Sequence, residues 1–167
     1  PTMLDGAINV DGTLLLVNPN GIMIGKTARI TGGRVFLSTI DIRDEDFHLG
    51  NYHFTGDSKM AIINNGQVEA WGDGLSGGTI ALIAGKLVNN GLLRANGGLV
   101  QLISKTPGGY AQSSIEHSGI TEAKTFPDGK KGEIFISAEG NLVEVTGRLD
   151  VSAPDYGSGG RIVVSGE

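Results

Sequence analysis

The sequence predicts an all-β chain wound into stacked coils, three short strands per coil, with Gly or Asn at the corners. Three observations carry this. The stretch from Ile62 to Ser104 states one pattern twice. Ile62-Ile63-Asn64-Asn65-Gly66-Gln67-Val68-Glu69-Ala70 leads to Gly78-Thr79-Ile80-Ala81-Leu82-Ile83-Ala84. Leu87-Val88-Asn89-Asn90-Gly91-Leu92-Leu93-Arg94-Ala95 then leads to Gly98-Leu99-Val100-Gln101-Leu102-Ile103-Ser104. Alternation over four to six residues between Gly and Asn punctuation is a strand signal, and a repeat of about 25 residues made of three such runs marks a solenoid. The corner glycines Gly66, Gly91, Gly119 and Gly147 recur at intervals of 25, 28 and 28 residues, with the length differences in loops after each second strand. Finally, 28 of 167 residues are glycine, more than twice an ordinary share of about 7%. No segment has a 3.6-residue period, so no helix is expected.

In chain order, Leu4–Val10 and Gly12–Val17 read as strands, followed by the turn Asn18-Pro19-Asn20-Gly21 and a third strand, Ile22-Met23-Ile24. Pro19 fixes φ at the second turn position, and Asn20 or Gly21 is free to take positive φ. Residues 41–60 form the most polar loop, with Asp41, Arg43, Asp44, Glu45, Asp46, His48, His53 and Asp57. Their spacing matches no EF-hand loop, so a solvated loop covering one side of the solenoid is the expected reading, with cation binding the alternative. Two further copies follow. Ile115–Ala123 leads to Gly132–Ser137, and Leu142–Val151 leads to Gly160–Ser165. The expected organisation is one β-helical domain over residues 1–167.

Aligning the corner glycines sorts the side chains into columns. Val68, Leu93, Thr121 and Leu149 form one; Ile80, Val100, Ile134 and Ile162 a second; Leu82, Leu102, Ile136 and Val164 a third. With period 2 these face one interior. Glu69, Arg94, Glu122 and Asp150 should form an outward, water-facing ladder with neighbours ~4.8 Å apart. Asn64, Asn89 and His117 stand at the corner, where stacked amides are expected to bond from coil to coil until Val145 ends the series. The corner itself is expected to need backbone angles that Gly adopts most easily. Ile120 and Thr121 fit badly, the first outward and the second inward, which predicts a local register slip in that coil.

Composition narrows the function. Net charge is −5 with a pI near 5.1, and without a basic run this argues against binding a phosphate backbone. The chain has no cysteine, so disulfides and thiolate metal sites are excluded. No apolar run approaches the ~20 residues of a membrane-spanning helix. Gly21-Ile22-Met23-Ile24-Gly25-Lys26-Thr27 has one residue too few between its glycines for a phosphate loop, and no helix follows. Gly72-Asp73-Gly74-Leu75-Ser76-Gly77 satisfies a dinucleotide fingerprint formally, but it joins strand to strand, not strand to helix. No cofactor or metal is expected.

Four ordered blocks resemble a known family. Leu14-Leu15-Leu16-Val17-Asn18-Pro19-Asn20-Gly21-Ile22-Met23-Ile24-Gly25 is similar to the NPNG region of the two-partner-secretion domain that opens filamentous-haemagglutinin-like exoproteins. Gly32–Ile42, then Asp46-Phe47 with Gly50–Phe54, then Asn64-Asn65-Gly66 with Gly78–Ala84 continue the likeness over roughly residues 4–105, with further repeat coils over 106–167. The resemblance implies a right-handed parallel β-helix, exported unfolded across the inner membrane and threaded through a dedicated outer-membrane transporter. It implies a secreted or cell-surface location on a Gram-negative-type bacterium, and it makes Asn18, Pro19, Asn20 and Gly21 part of the address that the transporter reads. No second, NPNL-like motif is present.

The expected function is therefore a non-enzymatic secretion domain of a haemagglutinin-like adhesin. Two alternatives belong to other classes: a subunit that stacks end to end into a filament, and a polysaccharide-active enzyme using Glu69, Glu122 and Asp150 as acid–base groups. Host or surface glycans are possible ligands in either setting, with Trp71 and Tyr110 as the aromatic contacts.

Overall fold

The computed structural model describes residues 1–42, 54, 56–74, 77–106, 114–138, 141–154 and 157–166. Within them the chain forms eighteen strands and no helix. The first coil holds β1 (Thr2–Leu4), β2 (Ala7–Asn9) and β3 (Thr13–Val17), and the second β4 (Ile22–Ile24), β5 (Arg29–Gly32) and β6 (Arg34–Ser38). The third holds β7 (Ala61–Asn64), β8 (Gln67–Ala70) and β9 (Thr79–Ala84), and the fourth β10 (Lys86–Asn89), β11 (Leu92–Arg94) and β12 (Leu99–Ser104). The fifth holds β13 (Ile115–His117), β14 (Ile120–Glu122) and β15 (Glu133–Ala138), and the last β16 (Val143–Val145), β17 (Arg148–Asp150) and β18 (Arg161–Ser165).

Each coil gives one strand to each of three sheets, six strands apiece, in which every strand lies beside its counterpart one coil away. Every pairing is parallel. The result is a right-handed parallel β-helix. Strands of three to six residues bury too little to persist alone; stacked, each shares its backbone bonds with the coils above and below.

The columns read from sequence are the columns of the fold. Ile80, Val100, Ile134 and Ile162 lie in register, as do Leu82, Leu102, Ile136 and Val164. All but Ile162 and Val164 belong to one core together with Ile30, Val68 and Leu93. Burial is complete along these columns through the fifth coil; in the sixth, Ile162 and Val164 are 40% and 48% exposed, with no further strand beside them among the described residues.

The corner glycines stack as expected, but for a different reason. None of Gly66, Gly91, Gly119 and Gly147 has positive φ. Close approach requires them: a Cβ on Gly91 would stand 2.1 Å from the Gly66 carbonyl oxygen, and one on Gly119 2.2 Å from that of Gly91. The oxygen of each coil occupies the space a side chain would need in the next.

The predicted register slip does not occur. Leu92 pairs with Ile120, Leu93 with Thr121 and Arg94 with Glu122. Thr121 is buried without strain because its hydroxyl lies 2.8 Å from His117 Nε2, so a polar residue in an apolar column is satisfied locally. This also shortens the corner ladder. Asn64 Nδ2 donates to Asn89 Oδ1 at 2.8 Å, and Asn64 Oδ1 accepts the Gly66 amide at 3.0 Å. His117 turns to Thr121 instead of continuing the series, and Asn89 Nδ2 and His117 Nδ1 find no partner among the described residues. A second ladder runs outside it: Asn90 Nδ2 donates to Asn65 Oδ1 at 2.9 Å, and Ser118 Oγ to Asn90 Oδ1 at 2.7 Å.

The third sheet is apolar on both faces over its early coils. Phe36, Ala81 and Ile83 point away from the main core and pack with Ile40, Ile42 and Phe54 into a second cluster. The described ends of the polar loop thus bury apolar side chains against the sheet, contrary to the expectation of a simply solvated loop. Arg43, Asp44, Glu45, Asp46, His48 and His53 lie outside the described residues.

Candidate functional site

The turn at Asn18–Gly21 joins β3 to β4 and is fixed by bonds within itself. The Gly21 amide donates to the Asn18 carbonyl at 3.0 Å, closing the turn. The Asn20 amide donates to Asn18 Oδ1 at 2.8 Å, an Asx-type brace. Gly21 carries the positive angle, φ 104°, and Asn20 does not; Asn at the first position, Pro at the second and Gly at the fourth suit a type I turn. Asn18 also anchors the turn to the scaffold, its amide N donating to the Ser38 carbonyl at 2.9 Å and its Nδ2 to Thr2 Oγ1 at 2.7 Å. Gly21 is buried, whereas Pro19 and Asn20 are exposed. The four residues divide into two that hold the turn and two that present it.

The carboxylate ladder is a chain of ion pairs. Arg94 Nε lies 2.8 Å from Glu122 and its guanidinium 3.6 Å from Glu69. Lys124 Nζ sits 3.8 Å from both Glu122 and Asp150, and Arg148 bonds Asp150 from the same strand. The expectation that these groups face open water needs correcting, because they cover one another and Asp150 is buried. Hydrogen bonds from Ser152, hydroxyl and backbone amide, with help from Arg148 and Lys124, hold the Asp150 carboxyl at a pKa of about 2. A general acid needs the opposite shift, toward neutrality. At Asp150 these contacts favour the charged carboxylate.

His117 is the other perturbed group: burial lowers its pKa from 6.5. It is buried inside the solenoid against Thr121. Among the described residues no cluster of three His, Asp or Glu side chains has the arrangement of a metal site. Trp71 stands on the surface, 38% exposed; Tyr110 lies outside the described residues.

A repetitive β-solenoid, with paired rather than poised carboxylates and a rigid turn displayed near its first coils, belongs to a class defined by scaffolding and presentation. The family model of the TPS secretion domain matches residues 1–163. The chain therefore belongs to the two-partner-secretion domain family, and the match runs well beyond the blocks at 4–105 that carry the resemblance in sequence. No curated protein matches it. As a TPS secretion domain it is exported through two-partner secretion, with an outer-membrane transporter as its partner.

Proposed function

We propose that the turn Asn18-Pro19-Asn20-Gly21 is part of the address read by the transporter, and that the domain serves a surface adhesin without catalysing a reaction. The observation supporting this is the local character of the turn. Its two closing bonds span two and three residues, and Pro19 supplies its φ in advance. Neither needs a neighbouring coil, so the turn is able to form in a chain that is otherwise extended and in transit. Pro19 and Asn20 are then the surface a receptor touches, while Asn18 and Gly21 keep it in shape.

Export of the double variant Pro19→Ala/Asn20→Ala, coexpressed with the partner transporter, tests the proposal. The expected result is at least a tenfold drop in secreted protein with the unfolding midpoint unchanged. Secretion at the level of the unaltered chain would contradict it.

A second reading has support at the far end of the solenoid. The last coil leaves Ile162 and Val164 uncovered, and Leu14 and Leu16 of the first coil are only partly buried against the core. Both pairs stand in the same two columns, in the first and the sixth coil. A second copy stacked end to end in parallel register continues both apolar columns and the backbone ladder. Electron microscopy of concentrated protein decides it: filaments support the reading, and monomers alone remove it.

A further inference from the structure

At the corner between the second and third sheets, an open groove of about 490 Å³ crosses the first three coils. Its floor mixes Gly32, Gly33 and Gly72 with the side chains of Asn9, Val10 and Thr31. Gly33 lies in the middle, where a Cβ would come within 2.9 Å of the Asp11 carbonyl oxygen and 3.0 Å of that of Gly72. Trp71 lines the groove from the third coil; its backbone amide donates to the Gly32 carbonyl at 2.9 Å, and the residue is 38% exposed. Along the floor, Thr31 Oγ1 donates to Asn9 Oδ1 at 2.5 Å, leaving the Asn9 amide hydrogens available as donors. Asp11 and Asp73 line the same groove, from the first and third coils. Neither belongs to any ion pair of the described residues.

We propose that this groove binds a neutral oligosaccharide, one sugar ring lying on Trp71 and its hydroxyl groups bonding to Asp73, Asp11 and Asn9. A partly exposed tryptophan beside a glycine strip flanked by Asn9, Thr31 and two carboxylates suits a ligand that is apolar on its ring faces and polar around its rim. Free carboxylates accept hydrogen bonds from hydroxyl groups, and charge-assisted bonds of this type are the stronger ones. The same carboxylates, on a chain of net charge −5, repel sulfated and uronate glycans as well as nucleic acid phosphates. Three coils span roughly 10 Å, room for about two sugar residues. The site is separate from the turn at Asn18–Gly21, so it stands or falls independently of the secretion address.

Trp71 is the single tryptophan of the chain, so its fluorescence reports on this groove alone. The purified domain is titrated with maltotetraose, cellotetraose and chitotetraose, and with a heparin tetrasaccharide as the anionic comparison. The expected result is a saturable change in emission with at least one neutral tetrasaccharide and none with heparin. Calorimetry with that sugar should show binding at least fivefold weaker for Asp73→Asn and lost for Trp71→Ala, both variants retaining the far-ultraviolet spectrum of the parent. No response to any of the three neutral sugars, equal binding of heparin, or unaltered affinity in Trp71→Ala would each overturn the proposal.

Discussion

At the residue scale, the fold turns on what fits between coils ~4.8 Å apart. Gly91 is not a flexible hinge; its α-carbon faces a carbonyl oxygen with no room for a methyl group. Gly91→Ala should lower stability by about 3 kcal/mol, as an overpacking change with no side chain able to yield. Gly6→Ala, with nothing within 4 Å of the added carbon, should change it by less than about 0.5 kcal/mol. Urea unfolding measures both. His117 gives the chain an acid sensitivity whose sign is fixed. Its pKa is lowered from 6.5 in the fold, so below that pH the unfolded chain binds more protons and stability falls as pH falls. A fall in the unfolding midpoint from pH 7 to pH 5 that His117→Asn reduces is expected; an identical fall in that variant would count against the assignment. Asp150 acts lower, its contribution fading only between its ordinary value of 3.8 and about 2.

At the scale of strands and turns, position in the stack decides energy more than residue type does. Ile134 and Ile162 share a column and a chemistry, one fully buried and the other 40% exposed. Ile134→Ala should cost about 3 kcal/mol through lost burial and a residual cavity, and Ile162→Ala about 1 kcal/mol or less. Comparable losses would mean that the last coil is covered in solution. Much of this was legible in the sequence because the strand period and the glycine spacing both survive from copy to copy. Three features were not. The Asn65–Asn90–Ser118 ladder is hidden by its ordinary turn composition. The second apolar cluster shows only as the unbroken apolar runs Leu14–Val17, Val35–Leu37 and Ile80–Ala84, whose two faces look alike in sequence. The satisfied Thr121 looked like a slip because its partner His117, four residues away, was assigned to the amide series.

For the whole molecule, quasi-one-dimensional stacking has a consequence for export. Each strand pairs with its counterparts in the adjacent coils, and we propose that folding outside the cell proceeds coil upon coil, each added apolar layer favouring the outward passage of the next. Leu82→Asp combined with Leu102→Asp places two charges in one interior column and should leave secretion below about a tenth of normal, measured as exported against cell-retained protein. Normal secretion of a folded double variant would end that part of the account. The turn at Asn18–Gly21 is a separate matter, because its closing bonds lie within four residues. The turn itself is legible from its Asn, Pro and Gly residues, and its role as an address is suggested only by the family likeness; the division of labour within it, Asn18 and Gly21 holding while Pro19 and Asn20 present, needed the hydrogen bonds and the exposures.

That division gives the most direct measurement. The purified periplasmic domains of the partner transporter are titrated with the full chain and with Asn20→Ala, whose side chain makes no bond within the turn or to the scaffold among the described residues. At least a tenfold loss of affinity, with the urea midpoint unchanged, is predicted if the exposed half of the turn is what the transporter reads. Equal affinity of the two chains would contradict it.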